Sequence, residues 1–420
     1  MSTRSFDVLL EHTLVGHLME AETGGWSFRF TESYRRQTRR PVLGQKFEDD
    51  LHRTYGGKRG ELPAFFANLV PEGGLRKIIE ESAGIPEGDD VSLLSVIGAD
   101  LPGAVVLRPS STSFPDDKVG AHANGQEPDD QEESSEARLH FSLAGMQLKF
   151  SVLREDDKLT LPVHGMGGQW IAKLASPSYP GLPENEYTAL EWARAAGFVV
   201  PECHLHRAED LRGIPRRHIV PGTHVLAIRR YDREGARRIH QEDFAQVVGL
   251  SPSRKFDHLT YEGVAKLARS IVGEDGYEEV VRRLVLIVAC GNNDAHLKNW
   301  SLVYPDGVSA AIAPLYDQVC TVAWSGHDRE PESRLDRKLA LKLGGVKHFG
   351  DVNERVFRIL AARVGADLER TIRLARDTVD RLAKAWAIVV VDAPMRPEHV
   401  EAVRAHWLRV PFLRERAVAI

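Results

Sequence analysis

Residues 292–299 read NNDAHLKN, and residues 313–319 read APLYDQV. The first stretch follows the apolar run LVLIVACG at 284–291, so it opens where a buried element ends. Asp294 and Asn299 stand in the D-x-x-x-x-N spacing of a kinase catalytic loop. The chemistry needs both: a carboxylate to accept the proton of an attacking hydroxyl, and an amide oxygen to ligate Mg²⁺ at the phosphates. On its own such a pattern is more often a polar loop capping a helix. His296 has no second His or Cys at metal spacing, so zinc is not indicated. The second stretch changes the balance. Residues 300–317, WSLVYPDGVSAAIAPLYD, read as strand, Pro-Asp-Gly turn and strand. A hairpin returns the chain to its start, which predicts the Asp317 carboxylate beside Asn299 as a second oxygen ligand for a hard cation.

Upstream, a kinase needs a cation for the ATP phosphates. Lys173 in QWIAKLAS (169–176) is set among strand-forming and apolar residues, an unusual place for an idle lysine. It is the expected phosphate lysine, with Glu186 on the next helix as its candidate partner. SLAGMQLK (142–149) precedes that strand where a phosphate loop would lie, though its single glycine makes no Walker loop. LAIRRYDR (226–233) ends a strand midway between lysine and catalytic loop, the place of a lobe hinge whose backbone would hydrogen-bond adenine.

Around these motifs the pattern changes from β-rich to α-rich. Strands are expected over 138–153, 169–174, 198–205 and 223–230, with a helix over 183–196 that begins near Pro183 and stops at Gly197. Val352, Val356, Ile359, Leu360 and Val364 repeat with helical period, as do Leu368, Ile372, Val379, Leu382 and Trp386. Residues 109–137 carry eight carboxylates against Lys118 and almost nothing apolar, the composition of a flexible acidic linker. Ahead of it, PAFFANLVPEG (63–73) predicts a short helix with Phe65, Phe66, Leu69 and Val70 on one face, ended by Pro71 and a Gly73–Gly74 turn. A closing strand is expected at 104–107, and no residue of this region announces chemistry.

The 420 residues are 42% hydrophobic and 27% charged, with a net charge of −5 and a pI near 6.4. There is no global basic field for nucleic acid or anionic membrane. Cys203, Cys290 and Cys320 form no CxxC pair, which suits a reducing compartment and buried, inert thiols. No apolar run approaches the ~18 residues that span a bilayer. The start, MSTRSFDVLLEH, is broken by Asp7 and Glu11 and is not a signal peptide. The expected location is cytoplasmic, without membrane partners.

Several stretches occur in the order seen in HipA-family kinases: SLAGMQLKF, WIAKLASP, ENEYTALEWA, IRRYDR, HQEDFAQVVGL, GNNDAHLKNWSL and APLYD. FFANLVPEG and IGADLPGAV in the first region also resemble the HipA amino-terminal subdomain. The chain thus resembles that family over its whole length apart from the acidic segment. The resemblance implies an α+β, bilobal, protein-kinase-like fold with a β-rich amino-terminal subdomain and an α-helical carboxy-terminal lobe. It divides the chain at 1–108, 109–137 (linker), 138–232 (N-lobe) and 233–420 (C-lobe). It further implies Asp294 as catalytic aspartate, Asn299 and Asp317 as Mg²⁺ ligands, Lys173 as ATP lysine and Ser142 as an autophosphorylated serine. Ala144, Gly145, Met146, Gln147, Leu148, Lys149, Arg229, Arg230, Tyr231, His296, Leu297, Lys298, Asn299, Tyr316, Asp317, Gln318 and Val319 would line the nucleotide. Arg229 replaces an acidic residue of the family's best-known hinge.

As a serine/threonine kinase of this type, the chain would be the toxin of a toxin–antitoxin pair, using ATP and Mg²⁺. Its implied target is an aminoacyl-tRNA synthetase, often the glutamyl enzyme, and autophosphorylation would switch it off. A small helix-turn-helix antitoxin of HipB type would be its partner and its route to operator DNA. Two other readings stay open: a small-molecule kinase of aminoglycoside or choline type, and a catalytically silent co-repressor scaffold.

Overall fold

A computed structural model describes residues 4–20, 24–110, 148–155, 158–160, 168–213, 216–324 and 338–420. The α+β class is as expected: a β-rich first region, a second sheet and a helical carboxy-terminal part.

The first region is one antiparallel sheet with helices on it. Strands β1 (Ser5–Leu10) and β2 (Thr13–Glu20) form a hairpin through Glu11 and His12, with Glu11 in the left-handed region (φ 51°). Strands β3 (Gly25–Phe30), β4 (Tyr55–Arg59) and β5 (Val105–Pro109) complete the order β4-β3-β2-β1-β5. Its core draws only on residues between Phe6 and Leu107, dominated by packed rings such as Phe28, Phe47, Phe65 and Phe66. The acidic segment begins later than expected. Pro109 still pairs with Phe6 in the sheet, and the Ser110 amide donates to the Ser5 carbonyl at 2.9 Å. Residues 111–137 lie outside the described residues.

The helix expected around Phe65 is a single turn, Ala64–Ala67, with Phe65, Phe66, Leu69 and Val70 all buried. The glycines after it start a helix, Gly73–Ala83, where the sequence suggested only a turn. At Gly74 a Cβ would stand 2.6 Å from Leu148 Cδ2, next to the second sheet. A glycine there admits close packing between the two bodies.

The second sheet runs β10-β7-β6-β8-β11-β9. Its strands are β6 (Lys149–Glu155), β7 (Lys158–Thr160), β8 (Trp170–Lys173), β9 (Cys203–Arg207), β10 (Leu211–Arg212) and β11 (His224–Arg229). The strand expected at 198–205 is displaced to β9. Pro201 has no N–H to give a ladder, and the Val199 carbonyl is spent on Leu315 N at 2.9 Å. The helix expected next to this sheet is there, Leu182–Ala195, entered through Gly181 at φ 78°.

The helical part is built around Glu274–Cys290, whose last turns are apolar on every side and wholly buried. A helix leaves its last carbonyls without intrahelical donors. Here the Val288 carbonyl is met by His406 Nε2 at 2.7 Å and that of Ala289 by the Trp407 indole N–H at 2.9 Å, both from the helix Pro397–Arg409. The helix then stops at Gly291 in the left-handed region (φ 58°). Trp192, Trp386 and Trp407 pack together beneath it, with ring centroids 4.5 and 6.1 Å apart. The two periodic segments are the helices Glu354–Val364 and Leu368–Val389. No described helix is long and apolar enough to cross a membrane.

Buried polar contacts lock the first region to the rest. Arg230 and Arg233 form a buried network with Asp100 and Asp232, and Asp232 also accepts from the Gly103 amide at 2.8 Å. Elsewhere Glu242, 1% exposed, accepts from Tyr304 and from the Gln45 amide at 2.9 Å. Burial pushes the Glu242 carboxyl from an ordinary 4.5 up to about 8, although both hydrogen bonds pull it down. Between those values the folded chain keeps a proton that the unfolded chain has lost. This contribution is therefore complete below about pH 4.5 and is lost as pH rises through about 8. Stability from urea unfolding should fall by roughly 1 kcal/mol per pH unit between pH 5.5 and 7.5 through this group. Glu242→Gln, which does not titrate, should remove that slope; the same slope in both proteins would refute the assignment.

Candidate active site

The site forms where the second sheet faces the loop after the buried helix. Lys149 on β6 and Lys173 on β8 are directly opposite in the antiparallel register. Like charges in that position repel unless an anion intervenes. Asp317 supplies it: its two oxygens lie 3.1 Å from Lys149 Nζ, and Oδ1 also pairs with Lys173. Lys173 is further paired with Glu186, buried on the helix Leu182–Ala195. Burial alone would raise the Asp317 pKa, but the Lys149 and Lys173 ammoniums outweigh it and hold the carboxyl well below the usual carboxylate range. Lys173 is held charged in the same way: burial lowers its pKa, and Asp317 and Glu186 more than restore it.

The hairpin predicted between the two motifs is present, with β15 (Ser301–Tyr304) against β16 (Ala311–Ile312); a short turn (β12, Arg233–Glu234; β13, Arg237–Arg238) and β14 (His240–Asp243) precede it. Asp306 caps its turn through the Val308 and Ser309 amides, at 2.9 and 2.6 Å. The return strand delivers Tyr316, whose hydroxyl lies 2.6 Å from Ser301 Oγ and donates to the Lys298 carbonyl at 2.9 Å. That contact fixes Asp317 next to the loop. Asp317 itself sits at φ 50°, a left-handed conformation that Asp and Asn tolerate best among residues with a Cβ.

The loop is held by its own backbone. The Asp294 amide donates to Asn292 Oδ1 at 3.0 Å, and the Asp294 carbonyl accepts from Asn299 Nδ2 at 2.8 Å and from the His296 amide at 2.7 Å. Because Asn299 spends its NH₂ inward, its amide oxygen is the atom left for a cation. His296 is 2% exposed, edge-on to Phe256 at 4.9 Å, with Nε2 4.0 Å from Asp294 Oδ1. Burial, then the Lys255 ammonium, push its pKa down to about 3, so the ring is neutral.

Of the residues expected at the nucleotide, Lys149, Lys173 and Asp317 converge, and Tyr316 donates to the carbonyl of Lys298, which shares one 3₁₀ turn with Asn299. Leu297 is wholly buried in the core, and Gln318 and Val319 are buried too, so these three offer a ligand little side-chain surface. Arg229 is exposed and lies 3.5 Å from Glu202, whereas the Arg230 side chain is committed to Asp100 and Asp232. At the hinge only the Arg230 backbone is therefore in question, and its amide already donates to the Gln169 carbonyl at 2.8 Å. Tyr231 donates to Gln241 and packs 5.9 Å from the Tyr316 ring. Leu148 directly precedes β6; Ser142, Ala144, Gly145, Met146 and Gln147 lie outside the described residues.

Sequence reasoning missed Glu72, Asn68 and Lys255, which gather around Lys298. Lys298 Nζ donates to Glu72 Oε1 at 2.7 Å and to the Asn68 carbonyl at 3.2 Å, and Lys255 Nζ donates to Glu72 Oε2 at 2.7 Å. Glu72 and Asn68 come from FFANLVPEG in the first region, and the acidic residue in that apolar run was the available signal.

Comparisons with known proteins agree with this architecture. The HipA N-terminal domain family matches residues 6–108, and the HipA-like C-terminal domain family matches residues 141–386. The Sinorhizobium fredii protein Y4dM, a kinase by its name alone, is 35% identical over 97% of this chain and 98% of its own length. The serine/threonine-protein kinase toxin HipA of Shewanella oneidensis is 23% identical over 84% of this chain and 82% of its own. A solved complex of HipA, HipB and operator DNA from Shewanella oneidensis contains a chain that superposes with a TM-score of 0.73. It is 18% identical, covering 98% of this chain and 96% of that one. With both family domains in place and a relative alike along almost the whole chain, this protein belongs to the HipA family.

Proposed function

We propose that the chain transfers the γ-phosphoryl group of ATP to a serine or threonine hydroxyl of a protein, as the toxin of a toxin–antitoxin pair. The observation that carries this reading is the charge cluster of Lys149, Lys173, Glu186 and Asp317 seated beside the Asp294–Asn299 loop. Among the described residues no three His, Cys, Asp or Glu side chains group to cage a metal. One carboxylate and one amide oxygen, Asp317 and Asn299, instead suit Mg²⁺, which binds few protein ligands and takes the rest from phosphates. When bound, the ion would neutralise phosphate charge.

The chain's own residues do the rest. Lys173, fixed by Glu186, and Lys149 would turn from Asp317 to the phosphates. Asp294 would accept the hydroxyl proton as the hydroxyl oxygen bonds to the γ-phosphorus and the bond to the β–γ bridging oxygen breaks, leaving ADP. Autophosphorylation of Ser142 as an off-switch belongs to the same reading. So do an aminoacyl-tRNA synthetase as target, which rests on the family resemblance alone, and a HipB-like antitoxin as partner, supported by the name of the related Shewanella complex.

The test is expression in a bacterial host without antitoxin. Wild type should arrest growth and Asp294→Ala should not; a lysate given labelled ATP should show phosphate on one dominant protein. Equal arrest by both forms would favour a scaffold, and label on a small metabolite would favour a small-molecule kinase.

A further inference from the structure

The catalytic loop is gripped from outside the kinase lobes. Glu72 belongs to the first region, yet its carboxylate takes one ammonium on each oxygen: Lys298 on Oε1 and Lys255 on Oε2, both at 2.7 Å. A ring closes behind this pair, because the Lys255 carbonyl accepts from the Leu297 amide at 3.2 Å. Lys255 is buried over the Phe256 ring, whose edge meets His296. Lys298 lies between Leu297 and Asn299 in a single 3₁₀ turn, and the Asn299 amide nitrogen is tied to the Asp294 carbonyl. Movement of Lys298 would therefore move the proposed metal ligand and the proposed base together.

The same segment reaches the other wall of the cleft. Asn68 donates to the Ala64 and Leu250 carbonyls at 2.9 and 2.8 Å, which fixes the approach to Glu72. Two residues beyond Glu72, Gly74 lies against Leu148, and Leu75 and Ile78 pack on the core of the second sheet. An exposed ion pair contributes little to stability. This one joins a half-buried carboxylate to two lysines far away in sequence, one of them within the loop that carries the chemistry.

We propose that Glu72 is a positioning residue for phosphoryl transfer, clamping Lys255 and Lys298 so that the Leu297–Asn299 turn presents Asn299 and Asp294 in register. The proposal rests on the reading of that loop as the transfer site. Without the carboxylate, two ammoniums face each other and the turn is released. A misplacement of about 1 Å can cost ~10²-fold in rate.

The experiment uses the full chain and follows phosphate transfer from labelled ATP into the chain itself or its lysate target. Glu72→Gln should lower kcat by about 10- to 100-fold, with the Kd for Mg²⁺-free ADP within about twofold of wild type. Glu72→Asp, which keeps the charge, should recover part of the loss. Lys298→Met should be slow by itself, and adding Glu72→Gln to it should cost nothing more. Wild-type kcat in Glu72→Gln, or a double variant whose loss is the product of the two single losses, would overturn the proposal. Should Glu72→Gln fail to fold, Glu72→Asp alone and combined with Lys298→Met completes the same cycle. An active wild type with an indifferent Glu72 removes only the clamp, whereas a wild type that transfers no phosphate removes the transfer reading and the clamp with it.

Discussion

Purified Asp294→Ala protein is expected to bind Mg²⁺·ATP like the wild type and to transfer its phosphoryl group ~10²- to 10⁴-fold more slowly, the range for loss of a positioned general base. The structure says why binding should survive. The loop is organised by the main chain of Asp294, whose amide bonds to Asn292 and whose carbonyl bonds to Asn299 and His296. Alanine keeps every one of those bonds. What disappears is the carboxylate, which acts on the incoming hydroxyl and not on the nucleotide. Calorimetric titration of Mg²⁺·ATP and transfer of labelled phosphate separate the two effects. Wild-type transfer by the mutant would end the assignment of Asp294 as base.

Asp317→Asn should give the opposite split. Asparagine accepts the left-handed backbone at this position as readily as aspartate, so the local fold should persist. The charge balance does not persist, because Lys149 and Lys173 lose the anion they share. Affinity for Mg²⁺·ATP is expected to fall on the order of 10- to 100-fold, the loss seen when even an outer partner of a metal site is removed. Binding of ATP without Mg²⁺ should hold or improve, since two ammoniums are freed for the phosphates. A thermal-shift titration with and without Mg²⁺ reads both. Equal affinity for Mg²⁺·ATP in the two proteins would exclude Asp317 as a metal ligand.

What the sequence revealed and what it hid follow one physical division. Periodic apolar patterns gave the helices Glu354–Val364 and Leu368–Val389, because burial writes itself at fixed spacing, and end signals at Pro183 and Gly197 gave Leu182–Ala195. The hairpin between Asn299 and Asp317 was legible from its Pro-Asp-Gly turn, and Lys173 from its apolar setting. Contacts between polar residues distant in the chain leave no such trace. Nothing in the spacing of Glu72, Lys255 and Lys298 announces that they meet. IRRYDR read as a hinge that offers its backbone, and nothing in its spacing told that the Arg230 side chain pairs with Asp100. The strand near Cys203 was misplaced because Phe198 and Val200 are apolar enough to suggest a strand, while Pro201 forbids the ladder there.

The first region closes its own core with residues no later than Leu107, but its partners on the kinase lobes come far downstream. On a ribosome adding ~5–20 residues per second, Lys298 is synthesised roughly 10 to 40 seconds after Pro109. Within that interval the partners of Asp100, Arg230 and Arg233, emerge first, then Lys255, and Lys298 completes the set around Glu72. The full set of contacts between the first region and the Leu297–Asn299 turn therefore becomes possible only in the last third of synthesis.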